Sequence, residues 1–374
     1  MHVCVYTPLN RLAIPSGAPR HIIEVVGALL RDPSLRVSFF ANAAEAGKYL
    51  PTQGPVWTSA PRVTFPQSVA QMSRRWGLFN RPNFETMGGQ ADWLYLPADA
   101  YVPAAHAKLA VTVHDVYKLE APPPGEDRLA HYRARLRHWV VYRRVAARAD
   151  VVLTVSQFSA DRIMHHLGLP AARIHIVRNG VSPAFIRPEP GLWPELRTTL
   201  GLSEGEPFFV YAGGLKPKKN GPGIIAAWKI FEARRKEGRL VVLGHHDEKT
   251  LATARRELQR AVFPDRLDDG RMATLLAHAR ALFFPSFYEG FGIPVVEAMA
   301  AGTLVVVSEI PALRELAGEL GFYVNPHDPQ DMAAGLERSL QAGAERPDRL
   351  AAGRRRAADY TWDEVVRRVR ACFS

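Results

Sequence analysis

The chain has 374 residues, 47% of them apolar and 23% charged, with a formal net charge of +11. That is apolar material for two ordinary domains and too much for a disordered chain. The two cysteines, Cys4 and Cys372, stand at opposite ends, which excludes a disulfide framework and a pair of Cys-x-x-Cys zinc knuckles and suits a reducing compartment.

Met1 runs directly into His2-Val3-Cys4-Val5-Tyr6, with no basic region, long apolar stretch or small-residue cleavage site, so the start reads as a strand rather than a leader. No run approaches the roughly 18–20 apolar residues of a membrane span, and a cytoplasmic location is expected. Strand candidates follow at Val3 to Tyr6, Val37 to Phe40, Trp93 to Leu96, Leu109 to Val113, Val151 to Val155 and Ile174 to Val177. Amphipathic stretches separate them, the rhythm of a parallel sheet covered by helices. After the first strand, Pro15-Ser16-Gly17-Ala18-Pro19 precedes Ile22, Val25, Val26, Leu29 and Leu30 at helical spacing: strand, small-residue loop, helix. Arginines 133, 135, 137, 143, 144 and 148 among Trp139, Val140, Tyr142 and Val145 predict a basic amphipathic helix. A solvated face is its plain reading; peripheral docking to an anionic membrane is the other.

Phe185 to Pro207 is rich in Pro and Gly and lacks periodicity, which places a linker there. A second series of apolar runs begins at Phe208 to Tyr211 and continues at Leu240 to Leu243, Ala281 to Phe284 and Leu304 to Val307. Tyr360 to Phe373 carries Trp362, Val365, Val366 and Val369 on one side and must pack somewhere. The expected division is 1–185, a linker at 186–207, a second domain at 208–355 and a closing helix at 356–374 that returns to the first domain.

Three segments carry chemistry. Pro285-Ser286-Phe287-Tyr288-Glu289-Gly290-Phe291-Gly292-Ile293-Pro294 runs from a strand end through a glycine loop into a helix closed by Gly302. Pro294 suits an early helical position and Gly302 the stop. Gly290 and Gly292 let a ligand approach the backbone, and amides at a helix start favour a phosphate. Tyr211-Ala212-Gly213-Gly214-Leu215-Lys216-Pro217-Lys218-Lys219-Asn220 is a second strand-to-helix loop, glycine first and basic after. Val111-Thr112-Val113-His114-Asp115 sets a histidine at the end of a strand, where open α/β sheets hold their ligands. Taken singly, each has a bland reading: a dipole-complementing glutamate, a solvated lysine run, a structural histidine.

Together they resemble the large retaining glycosyltransferase family called glycosyl transferases group 1, with bacterial mannosyltransferases closest in appearance. Glu289 and Glu297 repeat the family's pair of glutamates separated by seven residues. The resemblance implies an α/β fold of GT-B type, two Rossmann-like doubly wound domains facing each other across a cleft. It implies that Glu289 lies beside the donor sugar and that Glu297 accepts from the ribose hydroxyls, as a two-oxygen acceptor can. Lys218, Lys219 and Gly214 would hold the diphosphate with Gly290, Phe291, Gly292 and Ile293, and Gly17 would approach the donor phosphate. His114, Lys219 and Glu289 form the implied catalytic set. The chain departs from many relatives in having Gly214 and Lys218 where an arginine stands, and a lysine cannot make the bidentate contact. Val155-Ser156 and Arg178-Asn179-Gly180-Val181 match recurrent family positions and read as structural; residues 50–90 match nothing recognisable.

The expected reaction moves a hexose, mannose first, from a nucleotide diphosphate sugar to a saccharide or polyprenyl diphosphate-linked acceptor, in cell-surface polysaccharide or lipopolysaccharide synthesis. A GDP-sugar is favoured and a UDP-sugar second. Retention without a metal or other cofactor is implied. No Asp-x-Asp motif occurs, Asp265, Asp268 and Asp269 lack that spacing, and His245-His246-Asp247 has no further zinc ligands in sequence. The rivals are a sugar-nucleotide epimerase or a phosphorylase of the same fold, a scaffold without activity, and a basic nucleic-acid-binding protein; the paired glutamates speak against the last.

Overall fold

The computed structural model describes residues 1–13, 17–235 and 237–373. The chain divides into two compact units. The first comprises 1–120, 129–180 and the residues from Trp362 on; the second comprises 121–128 and 181–361.

The first unit is built on β1 (His2–Val5), β2 (Arg36–Asn42), β3 (Arg62–Phe65), β4 (Trp93–Leu96), β5 (Lys108–Thr112), β6 (Val151–Thr154) and β7 (Ile174–Ile176). They form one parallel sheet in the order β3-β2-β1-β4-β5-β6-β7. Side chains alternate across a strand, so the apolar run at the start supplies both faces. Val3 and Val5 face a core shared with Ile22, Val25, Val26 and Leu29 of the helix Ala18–Arg31. Cys4 and Tyr6 enter the opposite core, with Phe40, Phe65, Met72, Trp76 and Phe84. The closing helix Trp362–Ala371 lies on the first face, where Trp362, Val365 and Val369 join that core and Phe373 touches the rings of Trp93 and Tyr95. Of residues 50–90, Leu50, Trp57 and Ala60 join the first core, while Phe65, Met72, Trp76 and Phe84 fill the second face, where Trp76 meets the Tyr6 ring edge-on at 5.3 Å.

The second unit carries β8 (Phe208–Ala212), β9 (Arg239–Leu243), β10 (Ala261–Val262), β11 (Ala281–Phe284), β12 (Leu304–Ser308) and β13 (Gly321–Val324), parallel in the order β10-β9-β8-β11-β12-β13. The stretch 186–207, expected to be a linker, belongs to this unit. It includes the helix Trp193–Thr199, and Trp193 stacks between Phe208 and His278, which holds the segment on the sheet. β3, β10 and β13 were not expected. They are edge strands, short or carrying polar and glycine positions, and edge strands need no continuous apolar run.

In each sheet the order reverses once: between β1 and β4 in the first unit, between β8 and β11 in the second. Connections leave to opposite sides at such a point, which opens a crevice at the carboxyl ends of the two strands. Gly17 follows β1, and the loops with Lys219 and Glu289 follow β8 and β11.

Candidate active site

In the second unit the site starts from a strained loop. After β8 the chain turns through Gly214 at φ 69°, a conformation costly for any side chain, and an added Cβ would lie 2.1 Å from the carbonyl oxygen of His245. The amides of Gly213 and Gly214 both point to the Leu243 carbonyl, at 3.2 and 3.0 Å. The buried Tyr211 hydroxyl lies 2.9 Å from Gly214 O and 3.2 Å from Lys219 O, close enough to donate to either and brace the loop. Burial and the nearby Glu289 push the Tyr211 phenol well above its ordinary range, so it stays a neutral donor. His246 accepts from the Leu215 amide at 3.1 Å through Nδ1. Burial, with the neighbouring His245, Arg255 and Lys216, lowers its pKa and keeps that nitrogen free of a proton.

The turn Pro217–Lys219 ends at Asn220, a buried residue at φ 61°. Its side-chain amide donates to Pro285 O at 3.1 Å and Pro326 O at 2.7 Å. The Phe287 amide donates to Lys218 O at 3.1 Å. Through these bonds the loops after β8 and β11 lie side by side. Lys219 Nζ then donates to Glu289 Oε1 at 2.5 Å, with the Glu289 side chain 8% exposed. Lys218 lies over the Tyr288 ring, 5.2 Å from its centroid, and Lys219 over Phe284 at 5.1 Å.

The helix Ile293–Ala301 begins at Gly292, φ 101°, with Pro294 in its first turn, and ends at Gly302, φ 81°. A Cβ on Gly292 would lie 2.6 Å from Leu313 Cδ2, so the approach of that loop to the neighbouring helix needs a glycine. Glu297 is on this helix and buried, at 7% exposure. The structure therefore brings Gly214, Lys218, Lys219, Glu289, Gly290, Phe291, Gly292, Ile293 and Glu297 onto two adjoining strand-end loops and one helix. Such a surface offers ammonium groups, helix-start amides and two carboxylates to a diphosphate and its attached hydroxyls.

In the first unit, His114 follows β5. Its ring Nε2 lies 3.0 Å from the Pro97 carbonyl, so Nε2 carries the proton and Nδ1 is left as an acceptor. Its backbone amide donates to Asp99 Oδ1 at 3.3 Å. Burial lowers the His114 pKa to about 4. His21, fully buried on the helix that follows the Gly17 loop, meets the His114 ring edge-on at 5.0 Å and lies 2.9 Å from Asn179 Oδ1 through Nδ1. That contact puts the His21 proton on Nδ1. Burial, with His114 beside it, lowers His21 to about 3. Asp99 is pushed up to about 6 by burial and by the charge of Asp115. Gly17 has φ 60°, and Ser16 lies outside the described residues.

Among the described residues no group of three His, Cys, Asp or Glu side chains could hold a metal ion.

Comparison with known proteins decides the family. Residues 194–356 match the family described as Glycosyl transferases group 1, and residues 15–185 match Glycosyltransferase Family 4. The chain is 30% identical over 300 residues to the D-inositol 3-phosphate glycosyltransferase of Xylanimonas cellulosilytica, covering 75% of this chain and 68% of that one. The chain belongs to the group 1 glycosyl transferases. It is 27% identical over 282 residues to the O-antigen chain mannosyltransferase B of Escherichia coli, covering 74% and 72% of the two. WaaG, a glycosyltransferase involved in lipopolysaccharide biosynthesis, superposes with TM-score 0.73 at 16% identity, over 100% of this chain and 98% of that one. The fold is GT-B: two parallel-sheet α/β units.

Within this glycosyltransferase, sequence reasoning passed over four residues that the geometry brings to the named ones. His246 was weighed only as a zinc ligand, yet it holds the glycine loop. Tyr211 was read as strand filling. Asp99 follows β4 by the same strand-end logic that singled out His114, and that position was its one available signal. His21 falls on the buried side of its helix beside Ile22, which marks it only as interior.

Proposed function

We propose that this glycosyltransferase moves a hexose, mannose first, from a GDP-sugar to a saccharide or polyprenyl diphosphate-linked acceptor, with retention of anomeric configuration and without a metal ion. The Lys219–Glu289 contact carries the reading: it sets an ammonium and a carboxylate together at the crevice between β8 and β11. Lys218, Lys219, Gly214 and the amides of Gly290 to Ile293 bind the diphosphate. Glu297 accepts from the ribose hydroxyls, and Glu289 holds the donor sugar. Negative charge grows on the departing diphosphate as the sugar leaves, and fixed cations placed there lower the barrier by binding the transition state more tightly than the ground state.

His114 contributes from the first unit as a neutral imidazole. Its bare Nδ1 accepts from a donor-sugar hydroxyl, and Gly17 lets the loop after β1 approach the phosphate. The departing diphosphate takes the acceptor's proton on the face it leaves, a route that depends on alignment of the two partners. Mannose is preferred because relatives named O-antigen mannosyltransferases align along most of the chain. That likeness also favours surface-polysaccharide synthesis and work at the inner face of a cytoplasmic membrane.

The test is transfer from GDP-mannose, GDP-glucose, UDP-glucose and UDP-galactose in the presence of EDTA, with the product anomer assigned by NMR. GDP-mannose turnover with an α-product supports the reading. An inverted product, or turnover that requires added magnesium, overturns the mechanism. Turnover with a UDP-sugar alone overturns the donor assignment.

A further inference from the structure

We propose that the outward face of the helix Arg128–Arg148, extended by Leu78 and Phe79, is a docking surface for an anionic lipid bilayer. The surface deepens the membrane location proposed above and rests on it for its purpose.

Six of the nine large apolar side chains exposed among the described residues lie here: Leu78 60%, Phe79 68%, Leu129 60%, Tyr132 44%, Leu136 64% and Trp139 43% exposed. The helix buries His131, Ala134, Tyr142 and Val145 against the first unit. At 3.6 residues per turn, Leu129, Tyr132, Leu136 and Trp139 follow one another at spacings of three, four and three along the side opposite that buried face. An ordinary surface helix is polar there. Arg133, Arg137 and Arg144 run along one flank of the apolar stripe and Arg135 along the other, while Arg143 lies in the stripe with its guanidinium 4.9 Å from the Trp139 ring.

The helix Val69–Phe79 completes the surface. Arg144 donates through Nε to Gly77 O at 2.9 Å and through Nη2 to Leu78 O at 3.0 Å, which fixes the end bearing Leu78 and Phe79 beside the stripe. Arg74 and Arg75 on that helix are exposed. Neither helix contains an aspartate or glutamate.

A row of leucine and aromatic side chains flanked by arginines matches a bilayer interface, where the apolar groups enter about 5–10 Å and the cations meet lipid phosphates. Nucleic acid would use the cations but leave Leu129, Leu136 and Leu78 in water. A second copy would bring two acid-free, arginine-rich helices together. No helix among the described residues is long and apolar enough to cross a membrane, so the contact lies along the surface.

The experiment is flotation of the full chain with vesicles of phosphatidylcholine alone and with added phosphatidylglycerol, alongside sedimentation velocity without lipid. The wild-type chain should bind only the anionic vesicles. The double change Leu136→Ser and Trp139→Ser should weaken binding at least tenfold with unchanged melting temperature, and Arg133→Gln with Arg137→Gln should weaken it and reduce its salt dependence. Wild-type binding that survives loss of Leu136 and Trp139, absence of binding to anionic vesicles, or a dimer that the serine changes dissolve would each overturn the proposal. Transfer to a water-soluble acceptor, measured in parallel, separates the two readings. Normal transfer without vesicle binding sinks only the docking surface; vesicle binding without transfer sinks only the proposed reaction.

Discussion

Lys219 Nζ and Glu289 Oε1 stand 2.5 Å apart although the residues are seventy positions apart in the chain, and their contact joins the loops after β8 and β11. A carboxylate this buried keeps its ammonium in one place, at the carboxyl ends of β8 and β11, and in the proposed reaction that is where leaving-group charge develops.

Removing either partner should cost catalysis more than it costs the fold. Lys219→Ala is expected to lower kcat about 10²–10³-fold, the loss typical of one fixed transition-state donor. Glu289→Gln, which keeps the shape, should lower kcat with little change in nucleotide affinity. Turnover within threefold of wild type in either variant refutes the assignment.

Two glycines should respond differently to the same change. Gly214→Ala places a Cβ 2.1 Å from the His245 carbonyl, at a positive φ, and the backbone must move. It should abolish nucleotide-dependent thermal stabilisation. Gly17→Ala meets no atom of the described residues within 4 Å, so among these its cost is that of a strained backbone, about 1–3 kcal/mol. Calorimetry of the two variants with GDP checks the contrast; equal behaviour rejects it.

Stability should fall on acidification below neutrality. His21 and His114 titrate in the folded chain near pH 3 and 4, below the ordinary histidine value. Between about pH 6.5 and 4 the unfolded chain therefore binds more protons at these sites, and their contribution is lost as pH falls. Asp99, raised to about 6, works in the opposite sense: its contribution is present below about pH 3.9 and lost as pH rises through 6. Two histidines against one aspartate leave a net loss toward acid from this set. His114→Gln should flatten the melting-temperature profile between pH 6.5 and 4, and an unaltered slope would contradict the burial argument.

Phe373 should matter as much as a residue in mid-chain. Its side chain is 2% exposed and meets Trp93 at 5.6 Å and Tyr95 at 5.4 Å. Phe373→Ala should cost about 3–5 kcal/mol. Hydrogen exchange should then rise in β1 and β4 while the second unit keeps its protection.

The central strands of both sheets were legible because each carries a run of apolar residues, such as Leu240 to Leu243 and Leu304 to Val307, buried on two faces. So were the loops after β8 and β11, since glycine, lysine and glutamate at strand-to-helix junctions carry their chemistry in residue type and order. Residues 50–90 were not: Trp76, Phe65 and Phe84 meet Tyr6 and Phe40 in a core whose contacts are remote in sequence. The segment 186–207 misled for a related reason. Its prolines and glycines read as connection, while the single stacked Trp193 fixes it to the second sheet. His21 with His114, and Tyr211 with the Gly214 loop, are pairings of elements that no local pattern announces.

The main chain passes from the first unit to the second at Gly180 and returns at Thr361, and there the two passages touch: the Val181 amide donates to Tyr360 O at 2.9 Å, and Val181 pairs with Thr361. The segment between begins and ends at one spot, so it is a cassette in the engineering sense. Apart from the short stretch 121–128, it could be exchanged for the matching segment of a relative by two cuts at adjacent positions. Under the proposed function, donor choice would then be inherited through a block that recombination can transplant without rethreading the first sheet.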